Sequence, residues 1–166
     1  MSIRPVRDDE REELARFIRT GWDSKTITSR GIPHDASALP CLVAVDGERW
    51  LGLAAYRPDG DECELVLLEA LEKRLGIGTA LLQVTIEQAR KLNSRRLWPV
   101  TTNDNLDALR FYQRRDATTE ARDKLKPEIP LIGDHGIPLR DEMELELILM
   151  TSGDSAEDPS EHRGGM

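Results

Sequence analysis

Residues 73–82 run Lys73-Arg74-Leu75-Gly76-Ile77-Gly78-Thr79-Ala80-Leu81-Leu82. Two glycines stand here between an apolar, strand-like run and a stretch of helical period. Leu75, Gly78, Leu82, Ile86 and Ala89 share one stripe, which predicts a helix from about residue 75 to Leu92. The start of a helix carries unpaired backbone N–H groups and the positive end of the helix dipole. Glycine lets an anion come close to those amides, so the segment suits a phosphate or pyrophosphate. The candidate donors are the amides of Leu75, Gly76, Ile77, Gly78, Thr79 and Ala80, with Lys73 and Arg74 adding positive charge. A Walker loop is excluded because no Gly-Lys-Ser/Thr follows. The dinucleotide fingerprint is excluded because Leu81 stands where its third glycine would fall. A Gly-x-Gly pair alone would also serve merely to ease a tight strand-to-helix turn.

Working outward, the period of the chain switches between helix and strand. Residues 2–6 read as a short strand that Pro5 restricts to a sheet edge. Asp8 or Asp9 then caps a helix to about Thr20, with Leu14, Phe17 and Ile18 at three-to-four spacing and Gly21 as a stop. A second short helix is expected around Ser24–Ser29, then a loop ending at Pro40. Cys41–Val45, Arg49–Arg57 and Glu62–Leu68 read as strands of an antiparallel meander, joined at Asp46-Gly47 and Pro58-Asp59-Gly60. Strict alternation in the third would put Glu62, Glu64, Val66 and Leu68 on one face and Cys63, Leu65 and Leu67 on the other. After the glycine-loop helix come a strand at Arg96–Thr102, a helix over about Asn105–Arg115 and a candidate strand at 116–121. A proline- and glycine-rich loop then covers Asp123–Leu139, and Glu142–Met150 reads as a last strand with one wet face.

Composition bounds what such a chain can do. Its 166 residues suit one domain, read as 1–150, with an acidic tail at 151–166 too polar to order itself. Hydrophobic residues at 39% and charged residues at 33% describe a globular chain. Its longest apolar runs, such as Leu65–Leu68 and Leu147–Met150, fall far short of the roughly 20 residues a membrane span needs. The first residues lack the apolar core of a secretory signal, so a cytoplasmic location is expected. A net charge of −8 argues against nucleic acid as a partner. Cys41 and Cys63 sit in apolar runs and read as packed free thiols. His34, His135 and His162 lack ligand spacing, so no metal is expected. Arg90, Lys91, Arg95 and Arg96 read as a solvated helix end, and Asp134, Asp141, Glu142 and Glu144 as a solvated strand face or a lure for a cationic substrate.

A second constellation, Asn105-Leu106-Asp107-Ala108-Leu109-Arg110-Phe111-Tyr112, puts Asn105, Ala108 and Tyr112 on one helix face. With the glycine loop it resembles the GNAT N-acetyltransferase superfamily, whose segments read Q/R-x-x-G-x-G/A and N-x-x-A-x-x-F/L-Y. Here Lys73 replaces the first Gln or Arg, and the likeness covers about residues 3–121. The strings TTNDNLDALRFYQRR (101–115), KPEIP (126–130) and GIPLRDE (136–142) are similar to those of a bacterial subgroup. One departure is plain: Asp116-Ala117 stands where the family usually has Gly-Phe.

The resemblance implies an α/β fold, a mostly antiparallel central sheet with a splayed parallel pair, flanked by helices. It implies an enzyme that moves acetyl from acetyl-CoA to a primary amine, a small-molecule amine being favoured, by direct attack in a ternary complex. Leu68 would hold the pantetheine arm through its backbone, and Asn105 would orient that arm or merely cap its helix. An amine near pKa 10 must lose a proton before it attacks, and Glu62 or Glu64 can take it. Tyr112 is the candidate acid for the leaving thiolate. The family also admits a homodimer through the last strand or the proline-rich loop. Two alternatives stay open: a different acyl donor, such as a longer acyl-CoA or acyl-tRNA, and a catalytically idle CoA-binding module.

Overall fold

The structure is a computed structural model that describes residues 1–21, 26–29, 32–72, 75–102, 106–115, 118–124 and 141–149. Its strands are β1 (Ser2–Pro5), β2 (Thr26–Ser29), β3 (Ile32–Asp35), β4 (Cys41–Asp46), β5 (Arg49–Asp59), β6 (Glu62–Ala70), β7 (Arg96–Thr102), β8 (Thr118–Lys124) and β9 (Asp141–Ile148). Its helices are α1 (Arg11–Gly21), α2 (Ile77–Lys91) and α3 (Leu106–Gln113). Among the described residues seven strands form one sheet in the order β1-β4-β5-β6-β7-β9-β8, and β2 and β3 form a separate hairpin. All pairs are antiparallel except β6 with β7. The α/β architecture with one parallel pair is therefore as the resemblance implies, and β1, with its proline, is indeed an edge. The proline-rich stretch from 125 to 140 and the tail lie outside the described residues.

Several local expectations change, and within the loop expected up to Pro40 residues Ile32–Asp35 form β3. The helix expected around Ser24–Ser29 is instead strand β2 over Thr26–Ser29. Thr26, Ile27 and Thr28 are β-branched, which favours a pleated backbone over a helical one. Neither Asp8 nor Asp9 caps a regular helix. A single 3₁₀ turn spans Asp8–Glu10, and the Glu10 carboxylate accepts the Arg7 N–H at 2.9 Å before α1 begins at Arg11. In α2 the buried stripe is Ile77, Leu81, Leu82, Thr85 and Ala89, rotated from the stripe the sequence predicts. Gly76 sits at φ 75° and takes Leu75 out of the helix, leaving that side chain exposed.

The change in β6 matters most. Across the β5–β6 ladder Ala55 faces Leu67 while Tyr56 faces Leu65, so Val66 is an extra residue, a β-bulge. The bulge reverses the alternation. Cys63, Leu65, Leu68 and Ala70 all pack into the core shared with α2 and α3, and Leu67 packs on the opposite face with Leu14 and Ile18 of α1. Glu62 and Glu64, which alternate with Cys63 and Leu65, therefore lie on the α1 face, and Leu68 does not share their side.

The first turn of α2 is set by contact with the sheet. A Cβ on Gly52 of β5 would lie 2.7 Å from the Glu69 carbonyl oxygen and 2.9 Å from both Ile77 Cγ2 and Leu81 Cδ1. Gly52 thus fixes how closely α2 seats. Gly52→Ala should cost about 1–3 kcal/mol through overpacking, at roughly 2–4 °C of melting temperature per kcal/mol. A thermal melt checks this, and an unchanged midpoint would contradict the close seating.

Candidate active site

At the start of α2 the first intrahelical bond is Ala80 N–H to the Gly76 carbonyl, at 3.0 Å. The amides of Ile77, Gly78 and Thr79 precede it and have no acceptor within the helix. Gly76 provides no side-chain cap, and its left-handed φ is one that L residues with a Cβ rarely adopt. Leu75 and Thr79 are exposed and Gly78 and Ala80 are partly so, while the Ile77 side chain is buried as the anchor of the turn. The result is an exposed, donor-rich helix start suited to a phosphate. Lys73 and Arg74 lie outside the described residues, as does Asn105.

Helix α3 stands beside this turn. The Phe111 ring lies over Gly78, 3.5 Å from where a Cβ would be, and meets the Tyr112 ring edge-on at a 5.2 Å centroid separation. Tyr112 is 7% exposed and belongs to the core that contains Leu65, Leu81 and Leu82. Burial pushes its phenol pKa up, so it holds its proton throughout the neutral range.

The third component is a fork in the sheet. β6 and β7 pair in parallel from Glu62–Arg96 to Leu65–Pro99, and the ladder ends there although both strands continue. Pro99 has no N–H to donate, and the Val66 bulge immediately follows Leu65. β6 stays with β5 as far as Ala70 and β7 follows β9 as far as Thr102, so the two part company. Leu68 lies on β6 beyond the point of separation, opposite Ala54.

The two carboxylates differ in their surroundings. Glu62, at the closed end of the parallel pair, meets Arg95 at 2.6 Å and Arg96 at 3.0 Å. The Arg96 hydrogen bond, reinforced by the charges of Arg96 and Arg95, holds the Glu62 carboxyl below the usual carboxylate range. Glu64 faces Trp98 one pair short of the fork, and its Oε2 accepts from Arg57 Nη2 at 2.9 Å and Nε at 3.1 Å. Glu64 is 1% exposed.

Arg96 is no part of a solvated helix end. It joins Glu62 to Glu144 and Glu146 of β9, both at 3.0 Å, with its own side chain 12% exposed and its guanidinium 5.7 Å from the centre of the Trp98 ring. Glu144 is correspondingly buried instead of solvating a strand face. In sequence Arg96 reads as a solvated charge, and Pro99 and the Val66 bulge go unmarked. The available signals were a proline inside an otherwise apolar strand and the acidic alternation of residues 142–146, which needs a cation once the strand is central. Cys41 and Cys63 are buried free thiols, each pushed up to about 12 by burial. Among the described residues no group of three or more His, Cys, Asp and Glu side chains could hold a metal ion, and no helix is long and apolar enough to cross a membrane.

A glycine-opened helix start, a forked parallel pair and an aromatic helix packed on the same core define an acyltransferase-type architecture. The acetyltransferase (GNAT) family matches residues 6–116, and the chain belongs to that family. It is 41% identical to the Bacillus subtilis (strain 168) protein YdhI over 153 residues, covering 86% of this chain and 95% of that one. Its structure is similar to an IAA acetyltransferase from Bacillus cereus ATCC 14579, with TM-score 0.72 and 21% identity over 89% of this chain and 99% of the other. It is also similar to a Bacillus subtilis acetyltransferase in complex with CoA, with TM-score 0.65 and 21% identity over 90% of this chain and 100% of that one.

Removing Arg96 would leave three carboxylates facing one another across β6, β7 and β9. Arg96→Leu should therefore cost about 3–5 kcal/mol at pH 7. Because the Glu62 carboxyl is depressed in the folded state, its stabilising contribution is present above its unfolded pKa and is lost as pH falls through the folded value. The deficit of the variant should shrink toward acid pH in urea titrations. A deficit that is constant with pH would contradict this role.

Proposed function

We propose that the protein moves an acetyl group from acetyl-CoA to the primary amine of a small molecule, by direct attack in a ternary complex. The observation that carries this reading is the convergence at one place of the open first turn of α2, the end of the β6–β7 ladder and the Tyr112 helix. Membership of an acetyltransferase family and the similarity to a structure holding CoA support it.

The residues of the chain divide the work. The amides of Ile77, Gly78 and Thr79 bind the cosubstrate's pyrophosphate, with Lys73 and Arg74 supplying charge. Residues Val66–Leu68, beyond the fork, offer backbone groups to the pantetheine arm, and Asn105 orients it. Bound acetyl-CoA supplies the activated acetyl group. Glu64 takes the proton of the attacking amine. It is preferred to Glu62 on position: Glu64, paired with Arg57, lies one pair from the fork, whereas Glu62 sits at the closed end between Arg95 and Arg96. Tyr112 gives its proton to the departing thiolate, a role that suits a phenol kept neutral by burial. Neither cysteine serves as an acyl carrier, since thiols pushed up to about 12 present almost no thiolate at neutral pH. A net charge of −8 draws a cationic amine toward the protein.

Initial-rate patterns with acetyl-CoA and an accepted amine should intersect, as a ternary complex requires; parallel lines would indicate an acyl-enzyme and contradict the proposal. Tyr112→Phe should lower kcat about 10²–10⁴-fold while CoA affinity holds. Glu64→Gln should lose a similar factor at neutral pH, and the loss should narrow above the amine's own pKa, where the acceptor arrives deprotonated. Full activity in either variant would remove that residue from the mechanism.

A further inference from the structure

We infer that Arg115 is a cofactor-binding residue, holding the diphosphate of CoA from the α3 side and thereby tying α3, with Tyr112, to the loaded site. The inference rests on acetyl-CoA being the cosubstrate. Arg115 follows α3, and its N–H donates to the Tyr112 carbonyl at 3.0 Å. Its guanidinium folds back over the Phe111 ring, 3.7 Å from the ring centre, and Nη1 donates to the Phe111 carbonyl at 2.7 Å. Nη2 reaches across to Thr79 Oγ1, in the first turn of α2.

That placement differs from that of the arginines held in ion pairs. Arg4, Arg49, Arg57, Arg95 and Arg96 each meet a carboxylate. Arg115 meets no carboxylate among the described residues. It lies at the N-terminal end of α2, where the dipole is already positive and a second cation is disfavoured. Its Nε is buried without a hydrogen-bond partner. A doubly charged diphosphate between the open amides and this guanidinium would offset both positive charges and give the amides of the α2 turn an acceptor, with the planar Nη edge of the guanidinium turning from Thr79 to the phosphate oxygens. Phe111, lying over Gly78 and beneath the guanidinium, keeps the fork in register with the amides.

The test is calorimetric binding of CoA, dephospho-CoA and pantetheine to the wild-type protein, Arg115→Ala and Arg115→Lys, with a thermal melt on each. The expected result for Arg115→Ala is an approximately 10- to 100-fold weaker affinity for both CoA and dephospho-CoA. Pantetheine, which lacks the diphosphate, should bind as before, and lysine should restore part of the loss. Equal weakening of all three ligands would mean that Arg115 only braces α3, which overturns the inference. Weakening confined to CoA would assign Arg115 to the 3′-phosphate and overturn it too, as would unchanged affinity for CoA. Wild-type protein that fails to bind CoA at all would instead bring down the acetyl-CoA reading, and this inference with it.

Discussion

A parallel ladder that stops after four pairs is the constraint on which the site depends. Parallel strands normally continue side by side because every N–H and C=O along the shared edge needs a partner. Here Pro99 removes a donor from β7 at the last pair, and the adjacent Val66 bulge twists β6 away. Each strand keeps its outer neighbour, β5 for β6 and β9 for β7, so the sheet opens along one seam without losing its other ladders. The opening is a consequence of two local irregularities in an otherwise regular sheet.

The same seam organises the two faces of the protein. On one face the bulge keeps Leu68 in line with Cys63 and Leu65, giving α2 and α3 a continuous apolar floor. Gly52 lets the first turn of α2 settle onto that floor, and Phe111 then brings α3 against Gly78. On the other face the arginines and glutamates of β6, β7 and β9 are close enough to neutralise one another. Arg96 spans all three strands and clamps the closed end of the pair, where the ladder is intact. A closed end fixed by ion pairs and an open end bounded by a proline make a fork with a defined hinge position.

Much of this arrangement was legible in the sequence, and the parts that were not share a cause. The meander, the edge strand with Pro5, the glycine-opened helix and the aromatic helix were readable because each is a local pattern of period, turn residues or spacing. The stripe of α2 was misjudged by the two residues that the left-handed Gly76 subtracts from the helix. The faces of β6 were misjudged because one bulged residue inverts a period of two, and no composition rule marks Val66 as that residue. Arg96 and Glu144 looked like surface charges because their partners lie some 48 residues apart in sequence and meet only once β7 and β9 pair. The stretch Thr26–Thr28 followed intrinsic β preference where an irregular segment with a helix was expected.

In the proposed reaction one cosubstrate spans the first turn of α2 and the open end of the β6–β7 fork. The most direct measurement is a titration of isotope-labelled protein with CoA, followed through backbone amide chemical shifts. The largest changes should fall at Ile77, Gly78 and Thr79 and at Val66–Leu68, with a second group at Phe111–Arg115. Saturable changes centred elsewhere, or confined to one of these segments while the others stay still, would contradict it.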